Sequence, residues 1–226
     1  MRQSSIFVAV GVLMLAPVIA WASSSVRTDY AAAVRSKPNL ERGAELFRTC
    51  AACHGPSGEG TLDGNVPRIA GQHSHVLAKQ LVDYRHEKRW DIRMERIADR
   101  HFLKDMQAVA DVAAFASELK PPYPPRRGKH EPDSPGSPLY AARCQSCHGP
   151  AGEGNADKLV PRLAGQHYEY LVRQIYDAVD GRRPNLSRKH IRLLAKLERD
   201  DILDVAEFLS RSAWSDPARL EGNDGL

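Results

Sequence analysis

The chain has 226 residues and a formal net charge of +4; 42% of its residues are hydrophobic, 27% charged and only 7% aromatic. That length exceeds one ordinary domain, and dense charge of alternating sign marks the solvated helix faces of a soluble, α-rich protein. With no basic tail and no basic run interleaved with aromatics, the small positive excess does not point to nucleic acid.

The N-terminus reads as an export signal. Arg2 precedes the apolar run Ile6–Ala20, which is short for a membrane span and is broken by Pro17. Ala20-Trp21-Ala22 has the small-x-small form of a cleavage site. Residues 1–22 are expected to be removed rather than kept as an anchor. The mature chain, from Ser23, is then periplasmic, has no membrane span and carries +3 once Arg2 is lost.

Next, Leu40–Thr49 reads as a helix with Leu46 and Phe47 on its apolar face, and Gly43 would let another helix approach closely. It runs into Cys50-Ala51-Ala52-Cys53-His54. A second such run, Cys144-Gln145-Ser146-Cys147-His148, takes the remaining cysteines of the chain. C-x-x-C-H is the pattern of covalent c-type haem attachment. The two sulfurs form thioethers to the haem vinyl groups, and the adjoining imidazole becomes the proximal iron ligand. Two covalently bound haem c groups are therefore expected, with no disulfide despite the exported location. A zinc site built from both pairs would have to join residues 94 apart and leaves each histidine unexplained. A thioredoxin-like dithiol would need a βαβ setting that neither pair has.

The same offset of 94 defines an internal repeat. Cys50–His73 and Cys144–His167 are identical at 16 of 24 positions, including Pro67-Arg68 with Pro161-Arg162 and Ala70-Gly71-Gln72-His73 with Ala164-Gly165-Gln166-His167. After the first copy, Val76–Tyr84 and Met106–Leu119 show helical spacing. After the second, Tyr170–Val179 and Arg199–Ser210 answer them, and Leu139–Arg143 precedes it. Lys120–Pro138 holds seven prolines and reads as an extended spacer. The expected domains are 23–119 and 139–226, joined by a Pro-rich linker over 120–138.

The run Gly43…Phe47…Cys50-x-x-Cys53-His54-Gly55, the paired Pro-Arg-[Ile/Leu]-Ala-Gly-Gln loops and the doubled plan resemble the tandem dihaem cytochromes of the cytochrome c4 family, over nearly all of the mature chain. The resemblance implies an all-α protein of two class I cytochrome c folds, packed face to face about a pseudo-twofold axis. It implies electron carriage between redox partner proteins in the periplasm, commonly toward a terminal oxidase; the donor has no signature in the sequence. By residue match, the carbonyls of Pro67 and Pro161 accept a hydrogen bond from His54 and His148, and Arg68 and Arg162 stand beside them at the cofactor.

The distal ligands are where the chain departs from that pattern, which offers Met to both irons. In the first domain Met94 is the candidate; Met106 opens the last helix, and His101 lies in a stretched segment between them. The second domain contains no methionine. Aligned backward from Ile202–Phe208, the ligand position falls on His190. His167 and Lys189 are the alternatives, but His167, whose repeat partner His73 stands beside a Met-ligated haem, is assigned a surface or propionate-facing role. A His/Met and a His/His iron would be unequal, the second lower in potential. Arg85, Lys88, Arg89, Arg93 and Arg96, and Arg182, Arg183, Arg188, Lys189 and Arg192, are read as solvation, propionate partners or a positive rim steering acidic partners. The alternative function is a haem oxidoreductase, or a subunit of one, with a labile second iron, acting as a peroxidase or on sulfur compounds.

Overall fold

The computed structural model describes residues 25–128 and 136–212. The expected signal peptide and the middle of the expected linker lie outside them. Apart from one isolated bridge between Asn155 and Val160, the regular structure of the described residues is helical. The first copy comprises α1 (25–35), α2 (Leu40–His54), α3 (Ser74–Arg85), α4 (Ile92–Ala98) and α5 (Met106–Glu118). The second comprises α6 (Gly136–Arg143), α7 (Gln145–His148), α8 (Tyr168–Val179), α9 (Arg188–Leu194) and α10 (Arg199–Arg211).

Each copy is organised by one close helix crossing. Asn39 caps α2 by accepting from the Arg42 N–H at 2.9 Å, while its own N–H donates to Asp111 of α5 at 2.8 Å. A Cβ on Gly43 would sit 2.4 Å from the Asp111 carbonyl oxygen and 2.8 Å from the Phe115 Cβ. Only glycine lets α2 lie that close to α5. Gly136 repeats this against Asp204 of α10, where a Cβ would stand 2.0 Å from the carbonyl oxygen. Tilted ring pairs then close both crossings, Phe47 on Phe115 at 5.4 Å and Tyr140 on Phe208 at 5.2 Å. The first core adds Val82, Leu103, Val109 and Val112, and α1 contributes Ala33; the second is smaller, built on Leu171, Val205, Ala206 and Leu209.

The two copies are not in one register. Gly43, Phe47, Asp111 and Phe115 map onto Gly136, Tyr140, Asp204 and Phe208 at an offset of 93, against 94 for the cysteine loops. The extra residue falls between Tyr140 and Cys144. It splits what is one continuous helix in the first copy into α6 and α7. From α4 to α9 the offset is 96. Seven residues separate α4 from α5 but only four separate α9 from α10.

Helices α4 and α9 are ones that reading the sequence as ligand loops misses, because seven residues show too little periodicity. They are fixed by their caps. The Asp91 carboxylate accepts from the Arg93 and Met94 N–H groups, Glu95 accepts from the Asp91 N–H at 3.1 Å, and the Ser187 hydroxyl accepts from the His190 N–H at 3.2 Å.

The domains meet through the repeated loops, reciprocally. Gln72 accepts from the Arg162 N–H and donates to the Arg162 carbonyl, both at 2.9 Å. Gln166 does the same to Arg68 at 2.9 and 2.8 Å. His73 Nε2 donates to the Glu153 carbonyl at 2.8 Å and His167 Nε2 to the Glu59 carbonyl at 2.7 Å. His167 Nδ1 accepts from the Arg126 N–H at 2.8 Å. The surface or propionate role expected of His167 is thereby corrected, since both histidines turn to the other domain. They bridge the domains, and His167 is only 5% exposed.

Gly43→Ala is expected to destabilise the first domain by about 1–3 kcal/mol, because a Cβ there forces the helix backbones apart. Thermal unfolding followed at the haem absorbance checks this; an unchanged midpoint would remove the close crossing as a determinant.

Candidate haem iron sites

Both C-x-x-C-H histidines are held in the same way. His54 Nδ1 lies 2.9 Å from the Pro67 carbonyl oxygen and His148 Nδ1 lies 3.1 Å from that of Pro161. A carbonyl only accepts, so the proton sits on Nδ1 and the Nε2 lone pair is free for a metal. Burial pushes both imidazoles below the ordinary histidine value, outweighing the raising effect of the proline carbonyls, which keeps them in the neutral, metal-binding form. Cys53 and Cys147 are exposed while Cys50 and Cys144 are half-buried. Burial pushes the Cys50 thiol up to about 11 and that of Cys144 upward as well, the opposite of what a reactive redox dithiol requires.

In the first domain Cys50, Cys53, His54 and Met94 line one cavity of about 260 Å³. Met94 reaches it as the third residue of α4. Met106 instead packs on the first core, and the His101 side chain is 95% exposed. In the second domain His190 is the third residue of α9, the same register position as Met94. Its ring centroid stands 6.0 Å from that of His148, tilted by 49°. Two imidazoles bound to opposite sides of one metal at about 2 Å each would have centroids about 6 Å apart. Burial, with the Arg183 charge adding, pushes His190 below its ordinary value too. Lys189 is exposed, and both His167 ring nitrogens have protein partners.

The cavity wall tests whether a haem fits. It carries six arginines (Arg68, Arg89, Arg93, Arg162, Arg173 and Arg183) against two aspartates, Asp91 and Asp177. Asp91 is paired with Arg93, and Asp177 with Arg173 and Arg182. Arg89 is 7% exposed and donates to neutral groups, Gln80 and, across the domain boundary, Tyr170 and Gln174. Arg183 Nε is sealed from water without a hydrogen-bond partner, and burial pushes that guanidinium down to about 10. Asp83 acts on Arg89 and Asp177 on Arg183 only from beyond ion-pair distance, and buried cations without a carboxylate in contact suit a cofactor that brings its own. The Arg68 guanidinium donates to the Gly165 and Tyr123 carbonyls. Arg162 also lines the cavity.

The basic rim read from the sequence therefore divides. Arg89 and Arg183 turn inward, and Arg85 donates to the Ala98 and Leu103 carbonyls. Lys88, Arg93, Arg96, Arg182, Arg188, Lys189 and Arg192 remain at the surface.

The family model for cytochrome c matches residues 40–120 and again 134–213. The chain belongs to the cytochrome c family, in its tandem dihaem cytochrome c4 branch. It is 32% identical to cytochrome c4 of Azotobacter vinelandii over 181 residues, covering 71% of this chain and 82% of the relative. It is 33% identical to the thiosulfate dehydrogenase electron acceptor of Stutzerimonas stutzeri strain A1501, over 71% of this chain and 77% of that one. The crystal structure of reduced recombinant cytochrome c4 from Pseudomonas stutzeri superposes with a TM-score of 0.66 at 28% identity, covering 77% of this chain and 98% of that chain. The protein is a dihaem electron-transfer cytochrome with two covalently bound haem c groups. Among the described residues no helix is long and apolar enough to cross a membrane.

Burial lowers the folded-state values of His73 and His167 beneath the unfolded value of about 6.5. The folded protein then binds fewer protons than the unfolded chain, so acid favours unfolding. The stabilisation is complete above about pH 6.5 and is lost as pH falls below it. Stability against denaturant is expected to drop across that window, and the drop to flatten in a His73→Gln, His167→Gln variant. An equally steep drop in that variant would remove the clasp histidines as its cause.

Proposed function

We propose that the protein is a periplasmic electron carrier with one His54/Met94 iron and one His148/His190 iron. The observation that carries this reading is that the His190 ring faces His148 with centroids 6.0 Å apart, from the α9 position that Met94 occupies on α4. Bound haem supplies the one-electron iron couple; the chain decides its potential. The Met94 thioether favours ferrous iron, whereas the His190 imidazole donates better to ferric iron. The first centre is thus the higher in potential and the second the lower. Electrons enter through the C-terminal domain and leave through the N-terminal one.

The similarity to a thiosulfate dehydrogenase electron acceptor supports an enzyme that oxidises sulfur compounds as the donor class. A terminal oxidase is the acceptor class implied by the resemblance that the repeated Pro-Arg-[Ile/Leu]-Ala-Gly-Gln loops carry. The same relative supports a second reading, in which the chain serves as the cytochrome component of such an oxidoreductase.

The oxidised protein is expected to show the Met-to-iron charge-transfer band at half the strength of a protein with two Met-ligated haems. Met94→Ala abolishes it. His190→Ala leaves it intact while the second iron becomes high-spin and binds carbon monoxide. An unaltered resonance spectrum of both ferric haems in His190→Ala would rule that ligand out.

The exposed cations of both ligand helices are expected to steer acidic partners. Electron transfer rates with an acidic acceptor fall as salt rises, since such charges are screened over about 10 Å at 0.1 M. Stopped-flow rates that stay flat across ionic strength would contradict this.

A further inference from the structure

The carbonyl that holds each proximal histidine and the N–H that the opposite domain grips belong to one peptide group. In the Pro67–Arg68 peptide, the oxygen accepts from His54 Nδ1 at 2.9 Å and the N–H donates to Gln166 Oε1 at 2.9 Å. In the Pro161–Arg162 peptide, the oxygen accepts from His148 Nδ1 at 3.1 Å and the N–H donates to Gln72 Oε1 at 2.9 Å. The glutamine amides cannot be turned around, because each also donates through Nε2 to the carbonyl of the same arginine. His54, Arg68, Gln72, His148, Arg162 and Gln166 are all buried.

We propose that these two peptides are relays through which each domain sets the reduction potential of the haem in the other. Gln166, in the second domain, tunes the iron bound by His54, and Gln72, in the first, tunes the iron bound by His148. The glutamines are positioning residues; they act through the peptide and the imidazole.

The physical chain is short. A hydrogen bond accepted from an amide N–H draws charge across the conjugated group and makes its carbonyl oxygen more negative. Bonds in series polarise one another, by about 10–30% each, and more effectively where water is excluded. A more negative Pro67 oxygen pulls harder on the Nδ1 proton of His54. The imidazole then gains electron density at Nε2, donates more strongly and favours ferric iron, which lowers the potential. Docking the domains therefore lowers both potentials. Each proximal ring senses whether the other domain is in place.

A purely structural clasp predicts something different. Loosening it would change solvent access at both haems together, or at neither. The relay predicts a crossed pattern, which decides between them.

The test uses the full holoprotein with Gln166→Met and Gln72→Met, which are close in shape but accept no hydrogen bond at that strength. The readouts are spectroelectrochemical titration of each haem and the NMR shift of the proximal Nδ1–H proton. Q166M is expected to move the reduction equilibrium of the His54 haem two- to threefold toward the ferrous form, where tenfold is about 59 mV for a one-electron couple. Its His54 Nδ1–H resonance moves upfield, and the His148 haem changes by less than a third as much. Q72M gives the mirror pattern.

Gln166→Glu covers the case in which Q166M does not fold. One carboxylate oxygen still accepts from the Arg68 N–H, while the donation to the Arg68 carbonyl is lost. The variant is expected to move the His54 haem toward ferric with a downfield Nδ1–H shift. The decisive readout is that Nδ1–H shift of His54 with that of His148 unmoved, which the added charge alone does not give. Equal shifts at both haems, shifts confined to the haem of the mutated domain, or no shift would each overturn the relay. The inference rests on reading His54 and His148 as iron-binding imidazoles. A wild-type protein lacking two low-spin haems would sink that reading, whereas two low-spin haems with uncrossed shifts sink the relay alone.

Discussion

The reciprocal grip of Gln72 on Arg162 and Gln166 on Arg68 is the contact on which the rest of the molecule depends. Each glutamine satisfies both backbone groups of a buried arginine, and four buried backbone groups without partners would each cost about 1–3 kcal/mol. The grip recurs on both sides because the loop that makes it is duplicated in sequence, so the interface is self-complementary within one chain. Its consequence is local as well as global. The residue that is gripped follows the proline whose carbonyl orients the proximal histidine, so domain docking and iron coordination share a peptide.

That docking also explains the wall of the first cavity. Arg89 comes from the first domain, but two of its partners, Tyr170 and Gln174, come from the second. Arg183 comes from the second domain and faces the cavity of the first. A guanidinium stripped of water without a carboxylate nearby is costly. Negative charge arriving with the cofactor would offset that cost, which ties haem binding to the docking of the two domains.

Much of this was legible in the sequence because the haem motif and its loop are short-range patterns. Cys50, Cys53, His54 and the second set follow from spacing alone, and Gly43 announced the close crossing that the structure contains. The bases of the two distal sites were harder. Helices α4 and α9 carry only two turns each, and what makes them helices is the capping by Asp91, Glu95 and Ser187, a signal that a search for apolar periodicity passes over. His167 escapes a linear reading for a different reason. A histidine next to a conspicuous glycine–glutamine turn looks solvated until the facing domain supplies the Glu59 carbonyl as acceptor. Nothing in the linear sequence states which surfaces will meet, so Arg89 and Arg183 could not be separated from the exposed cations around them.

The two copies differ by small changes of length on a shared plan. One residue inserted before Cys144 breaks the helix that α2 keeps whole. Two further residues before α9 and three fewer after it leave the scaffold helices α5 and α10 at the same offset of 93 as α2 and α6. The insertions and the deletion cancel, so the crossing that frames each pocket survives. Position three of α4 and α9 is thereby preserved while its occupant changes from Met94 to His190. A thioether and an imidazole differ in length, rigidity and donor strength, and a helix that keeps its register needs adjustable connections to accommodate the exchange. The variable segments on either side of α4 and α9 supply that adjustment. The duplicated fold thus keeps the proximal histidines and the domain clasp equivalent, while the copies differ in the break between α6 and α7, in the size of their cores and in the helix that carries Met94 or His190.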